Sequence, residues 1–397
     1  MVNRSLQDIQ PSATLALNQK AKAMQVAGRK IFNFTAGEPD GDTPLPIQEA
    51  AIHAIKSGYT RYTNTAGIVE LREAITIKAK RIYNRDYHAD DVLVCNGGKQ
   101  AIYNALYTLL NPEDEVIILT PAWVSYQAIV GLLGAKVVNV HAGIENAFVP
   151  NIEDIKAAIT ARTKLIILNS PCNPTGATYT QSFIDELMVL LNEHSHVSIM
   201  TDDIYEHYVF DHDFVSIASH PDCDQNRLII INGVSKSHAM TGWRIGYVLA
   251  NPHLVKIMKS VQSQMTSNAC SISQHAALKA IQSEEAQGSV FKEAFAQRRD
   301  MIYACLSKID GIDVLKPQGA FYIFPNFSKV LITAGSLPKD DVALSHFILE
   351  EEGVAMVPGS AFGAPGYMRL SYGLPNKDIQ EGIEKLKSGL LKFMKTI

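Results

Sequence analysis

Short apolar runs alternating with amphipathic segments through the middle of the chain predict an α/β protein on a mainly parallel central sheet. Two observations carry that expectation. Runs of five or six residues rich in Val, Ile and Leu recur, each followed by turn-forming residues, and between them lie helical stripes, the alternation that builds parallel sheets. The composition agrees: 47% of the 397 residues are apolar and 19% charged, the balance of an ordinary globular protein. The length suggests two or three domains.

Taken in order, DVLVC (91–95) reads as a strand, and Ala101, Ile102, Ala105, Leu106, Leu109 and Leu110 share one stripe of a helix over 100–110. VIILT (116–120) opens the longest uncharged stretch, 116–135. Pro121, Ser125, Gln127, Gly131 and Gly134 make that stretch a strand, a turn and a short helix, not a membrane span. KLIILN (164–169), VSIMT (197–201) and LIIIN (228–232) continue the series. Past Gln282 the pattern changes to a charged helix over 289–306 and then to the strand-like GAFYIF (319–324), VAMV (354–357) and MRLSY (368–372). This divides the chain into a large α/β domain, 46–285, and a smaller domain made of 1–45 with 286–397.

Lys and Arg total 36 against 40 Asp and Glu, a net charge of −4. That balance speaks against a chain that coats nucleic acid or an anionic membrane. The five cysteines (95, 172, 223, 270 and 305) are scattered and odd in number, the usage of reduced thiols in a cytoplasmic protein. The N-terminus carries charges throughout and shows no secretory pattern. His194 and His196 lack the further ligands that a metal site needs, so no metal is expected.

The chemistry sits after the strands. Asn96-Gly97-Gly98-Lys99 follows the first strand and opens a helix, a turn whose backbone can approach a phosphate at a helix N-terminus. The turn fits neither G-x-G-x-x-G nor the P-loop. Asn173, in SPCNPTG (170–176), offers an amide at a strand's carboxyl end, where open α/β sheets gather ligands. Asp202 and Tyr205 follow VSIM, where a carboxylate is either a helix cap or the partner of a buried cation. Lys236 lies at the mouth of a very apolar strand; a lysine is by default a solvated surface group, but one held in a desolvated, cationic environment can have its amine pKa lowered enough to act as nucleophile and base. Arg244, flanked by Trp243 and glycines, is placed to meet an anion. A cofactor using a phosphate turn, an amide, a carboxylate with a phenol, and a Lys with an Arg is pyridoxal 5'-phosphate.

At this point the chain resembles the fold-type I, class I aminotransferases, and most of all their bacterial aspartate aminotransferase subgroup. The motifs that carry the resemblance run from end to end: PSATLAL (11–17), FTAGEPDGDTP (34–44), RYTNTAGIVELREAI (61–75), NGGKQA (96–101), PAWVSY (121–126), NSPCNPTGATY (169–179), TDDIYEHY (201–208), SKSHAMTGWRIGY (235–247), QGAFYIF (318–324), VPGSAFG (357–363) and MRLSYG (368–373). The resemblance implies the PLP-dependent transferase fold and a homodimer with shared active sites. It implies Lys236 as the Schiff-base lysine and general acid/base, Asp202 on the pyridine nitrogen, Asn173 and Tyr205 on the ring oxygen, and Trp123 stacked on the ring. Phosphate would be held by Gly97, Gly98, Lys99 and Arg244, and by Tyr62 of the neighbouring subunit. Arg369 would grip the substrate α-carboxylate with help from Gly37. Many members carry Ser three residues before the lysine; here that position is Gly233, which leaves Ser235 as the neighbouring hydroxyl.

The activity this implies is amino transfer between L-aspartate and 2-oxoglutarate. Lys99 either holds the substrate's distal carboxylate, with Thr14 assisting, or only neutralises phosphate charge. The alternatives are an aromatic amino acid or prephenate aminotransferase, or a PLP lyase on the same scaffold.

Overall fold

The computed structural model describes residues 13–333 and 340–395; Pro11 and Ser12 of the PSAT motif lie outside them. Seven strands form the central sheet: β1 (Val92–Cys95), β2 (Glu115–Thr120), β3 (Lys136–His141), β4 (Thr163–Asn169), β5 (Ser198–Asp202), β6 (Leu228–Gly233) and β7 (Gly246–Leu249). Their order across the sheet is β1-β7-β6-β5-β4-β2-β3. Every pairing from β6 to β3 is parallel, while β7 runs antiparallel to both β1 and β6. The mainly parallel sheet expected from the sequence is therefore present.

β1, β2, β4, β5 and β6 are the apolar runs, displaced by a residue at most. β3 and β7 were not among the runs, for different reasons. β3 is an edge strand in which Val140 is the one fully buried residue, so its sequence, KVVNVH, mixes polar and apolar positions. β7 is short and begins inside the segment whose Lys and Arg dominate its reading. VAMV splits in two: Val354–Ala355 pairs in parallel with Phe32–Asn33, and Val357–Pro358 pairs antiparallel with Met368–Ser371. That second sheet is completed by Tyr322–Ile323.

Strand alternation sorts the central sheet's side chains into two cores. Val92, Val94, Ile117, Ile166, Ile199, Leu228 and Ile230 point to one face, where they meet Leu71 and Ile75 of helix Val69–Tyr83 and Leu187 of helix Gln181–Glu193. Leu93, Val116, Ile118, Leu165, Ile167, Met200 and Ile231 point to the other, against Ile102 of helix Gly98–Leu109 and Met258 of helix Pro252–Met265. A third core joins Phe32 and Phe34 to Phe295, Leu344, Ile383 and Leu390, and it takes in Tyr205 and Tyr208 from the turn after β5. Among the described residues, no helix is long and apolar enough to cross a membrane.

The reversed strand β7 fixes the turn after β1. A Cβ at Gly246 would stand 2.3 Å from the Gly98 nitrogen and 2.5 Å from the Gly97 carbonyl carbon, so only glycine lets the two backbones close. Gly246→Ala should force them apart and lower stability by about 1–3 kcal/mol, read as a lower urea midpoint with an unchanged m-value.

Candidate active site

The parallel strands deliver their carboxyl ends to one cavity of about 300 Å³, the place where open α/β sheets bind ligands. Twelve of the residues singled out from the sequence line it: Thr14, Gly37, Gly98, Lys99, Trp123, Asn173, Asp202, Tyr205, Ser235, Lys236, Arg244 and Arg369. Gly97 stands just outside the lining as the N-cap of helix Gly98–Leu109, with φ +85° and no side-chain cap on that helix. Tyr62 is 91% exposed and does not line the cavity of its own chain. Gly233 does not line it either. A Cβ there would stand 2.9 Å from the Gly246 Cα and the Ile245 carbonyl oxygen, so the fold closes this position to a side chain and leaves Ser235 at the cavity.

Lys236 donates from Nζ to the Gly37 carbonyl at 2.6 Å, and its own carbonyl accepts from the Tyr208 hydroxyl at 2.8 Å. Burial pushes its amine down to about 8; Glu38 and Asp202 resist that fall, while Arg244 and Arg369 reinforce it. Asp202, the last residue of β5, moves the opposite way, up to about 6, because burial penalises its charge. The Tyr126 hydroxyl donates to its Oδ2 at 2.6 Å and the Ile204 N–H to its Oδ1 at 3.3 Å, and both restrain that rise.

Arg369 is 2% exposed. Its Nη1 donates to Asn173 Oδ1 at 2.9 Å and its Nη2 to the Thr35 carbonyl at 2.8 Å, while its Nε is buried without a hydrogen-bond partner. The guanidinium lies 4.5 Å from the Tyr322 ring centroid and 5.2 Å from that of Phe362. The Asn173 amide is oriented in turn, because its oxygen is taken by Arg369 and its N–H groups are left to donate. The Tyr205 and Tyr322 hydroxyls hydrogen-bond at 2.8 Å, and burial raises the pKa of both phenols.

Also on the cavity lining, Lys99 Nζ stands 5.0 Å over the Trp123 ring. Burial lowers its pKa and the nearby Arg244 lowers it further. Arg244 takes φ +57° and donates to the Thr241 carbonyl at 2.9 Å. Its Nη2 would be 2.3 Å from a Cβ at Gly97, so the glycine turn and the guanidinium form one close-set cradle.

Sequence reasoning missed Tyr126, Asn169, Glu38 and Tyr322, which also line the cavity. Tyr126 had a readable signal, since it lies three residues after Trp123 and shares a helical face with it; the two rings meet edge to face at 5.4 Å. Asn169 had one too, as the last residue of an apolar run whose side chain accepts from the Asn173 N–H at 2.9 Å, whereas Glu38 and Tyr322 are set by contacts far apart in sequence.

Residues 29–386 match the family described as aminotransferase class I and II. Among relatives, the chain is 43% identical over 388 residues to an aspartate/prephenate aminotransferase of Cereibacter sphaeroides, covering 97% of each chain. It is 43% identical over 378 residues to the aspartate aminotransferase of Bacillus subtilis, covering 95% of each. Among solved structures, the aspartate aminotransferase of Rhizobium meliloti superposes with a TM-score of 0.93 at 39% identity, covering 98% of both chains. The Thermus thermophilus aspartate aminotransferase with maleate superposes at 0.91 and 37% identity, covering 98% of this chain and 99% of that one. Matches of this length and depth, on a sheet and cavity of the expected kind, place the chain in the class I and II aminotransferase family, whose aspartate aminotransferases work with pyridoxal 5'-phosphate.

Proposed function

We propose that the enzyme exchanges the amino group between L-aspartate and 2-oxoglutarate, giving oxaloacetate and L-glutamate. The observation that carries this reading is the presence of two separate cationic side chains on one cavity: Arg369, whose Nε has no hydrogen-bond partner among the described residues, and Lys99 over Trp123. Two carboxylates on one small substrate need two such sites. The Thermus relative was solved with maleate, itself a dicarboxylate, which supports the same preference.

The residues present fit pyridoxal 5'-phosphate. The Gly97 turn and Arg244 offer N–H groups and charge to a phosphate, Ser235 adds a hydroxyl, and Asp202, Asn173 and Tyr205 offer a carboxylate, an amide and a phenol. When bound, the cofactor supplies an aldehyde that takes up the amino group and a ring that draws electrons from the substrate Cα. Lys236, whose amine burial lowers to about 8, would attach the cofactor and would move a proton at the substrate Cα on its Nζ. Asp202 would hold a proton on the cofactor's ring nitrogen in its ionised form, which the hydrogen bond from Tyr126 favours. Asn173 and Tyr205 would donate hydrogen bonds to the cofactor, Trp123 would pack against it, and Arg369 and Gly37 would hold the substrate α-carboxylate. Lys99 and Thr14 hold the distal one.

We divide the chain into a cofactor-holding unit, 46–285, and a smaller unit of 1–45 with 286–397; the core that joins Phe32 and Phe34 to the C-terminal helices supports this division. Five free thiols, two of them buried, suit a reducing, cytoplasmic setting. A second reading, a shared activity on aspartate and prephenate, draws support from the name of the Cereibacter relative.

Three tests follow from these assignments. Borohydride should fix the cofactor covalently on the peptide carrying Lys236, and in cofactor-free protein an amine-acylating reagent should label Lys236 with a midpoint near 8. Its amine is neutral above that pH, where surface lysines are still charged; a Lys236→Ala protein at parental turnover would remove the assignment. Replacing Lys99 with Met should cost dicarboxylic substrates roughly 1.5–3 kcal/mol in kcat/KM and spare an aromatic donor, whereas Arg369→Leu should harm every substrate. Equal losses for aspartate and the aromatic donor in Lys99→Met would reduce Lys99 to a phosphate contact.

The third test concerns assembly. Tyr62 is too exposed to serve its own cavity, and we assign it to the phosphate of a partner subunit in a two-fold dimer. In purified heterodimers of a Lys236→Ala chain with a Tyr62→Ala chain, the trans arrangement puts both defects in one site and leaves the other intact. Activity per remaining Lys236 should then equal that of the parent. Activity at the Tyr62→Ala level would show that Tyr62 acts within its own chain.

A further inference from the structure

A set of buried polar groups lies behind the cavity and takes no part in the site described above. Lys78 and Glu206 form an ion pair at 2.5 Å, with side chains 3% and 4% exposed. Lys78 comes from helix Val69–Tyr83, and Glu206 from the turn after β5, one residue past Tyr205. The second oxygen of Glu206 accepts from Asn232 Nδ2 at 2.9 Å, and the Asn232 side-chain oxygen accepts from the Gly233 N–H at 2.6 Å. Asn232 lies on β6, four residues before Lys236. The neighbouring acid, Asp203, accepts from the hydroxyls of Thr201 at 2.6 Å and Ser216 at 2.8 Å, and the Tyr83 hydroxyl links it to Glu206. Lys78, Asp203, Glu206 and Asn232 are all absent from the cavity lining.

Taking two charges out of water is costly, and replacing a buried pair with apolar side chains of similar volume is often neutral or stabilising. Stability is thus a weak reason for this pair. Its connections are more specific. They join a helix to the turn that carries Tyr205 and, through one amide, to the end of the strand that leads to Lys236. Each join has the fixed geometry of a charged or short hydrogen bond.

We propose that the Lys78–Glu206 pair is a positioning element that, through Asn232, fixes the Tyr205 turn against the strand leading to Lys236 and so sets how these two side chains meet the cofactor. The proposal rests on the roles given to Lys236 and Tyr205 above. Lys78 and Glu206 touch neither substrate nor cofactor, and they act through the backbone that they hold.

The test is the double variant Lys78→Met/Glu206→Gln, which removes both charges while keeping shape and an acceptor for Asn232. It is purified with cofactor and compared with Lys78→Arg, which keeps the charge. The double variant should fold and keep its thermal midpoint within a few degrees of the parent. Its kcat should fall about tenfold or more, as small misplacements do, with KM for aspartate little changed. The pH midpoint of the holoprotein's visible absorption change should move by about half a unit, and Lys78→Arg should recover both properties. Unchanged kcat and absorption midpoint would overturn the proposal. Failure of the double variant to fold would also overturn it, because the pair would then be needed for the fold itself. Lys236→Ala is the control: if it kept the parent's pH-dependent band, the reading of Lys236 would fall. If the control behaves as expected and the double variant matches the parent, only the positioning role falls.

Discussion

Uncompensated positive charge at the carboxyl end of a parallel sheet is the constraint on which the site depends. Lys99, Lys236, Arg244 and Arg369 face one cavity, against the carboxylates of Asp202 and Glu38. Like charges brought together in a desolvated space oppose one another and lower the affinity of any amine there for its proton. Burial is the larger cause of the depressed Lys236 and Lys99 amines; the facing guanidinium of Arg244 adds to both, and that of Arg369 adds at Lys236. The same imbalance selects ligands. A phosphate and one or two carboxylates restore neutrality, and a neutral or cationic ligand would not.

The fold bears this repulsion because each cation is held by groups that cannot move independently. Arg369 is fixed between Asn173, the Thr35 carbonyl and two aromatic rings. Arg244 is held in a left-handed turn against the glycine backbone after β1, and that backbone is closed in turn by Gly246 of β7. The one reversed strand therefore does more than complete a sheet. It brings the Arg244 segment back beside the helix N-terminus that begins at Gly98, so that two anion-binding devices distant in sequence share one point in space.

Much of this was legible in the sequence because parallel strands buried on both faces read as continuous apolar runs, and whatever follows such a run stands at the ligand-binding edge. Asp202, Lys236 and the Gly97–Gly98 turn were found that way. The edge strand β3 was missed because exposure on its outer side removes the apolar signal. Glu38 and Tyr322 were missed because their place is set by contacts between distant segments: Glu38 Oε2 accepts from Thr241 at 2.8 Å, and Tyr322 meets Tyr205. Neither contact leaves a trace in local spacing. Tyr62 is the converse case: its motif singled it out, yet its exposed side chain does not line the cavity of this chain.

The pair Asp202-Asp203 shows how the period of a strand divides labour between adjacent acids. Both are buried, and burial raises both, to about 6 and about 7. Asp202 falls on the side of Met200 and looks into the cavity, where Tyr126 and Lys236 favour its charge. Asp203 falls on the opposite side, where Thr201 and Ser216 donate to it but the nearby charge of Glu206 opposes its ionisation. With Lys78 paired to Glu206, Asp202 faces the cations of the cavity, and Asp203 on the other side keeps its proton to a higher pH. The alternation repeats one turn later, where Tyr205 faces the cavity and Glu206 the ion pair behind it. A single segment of five residues thus lines the cavity on one side and carries the buried ion pair on the other, so that on the positioning role proposed above the loss of the pair should be felt in the chemistry before it is felt in the stability of the fold.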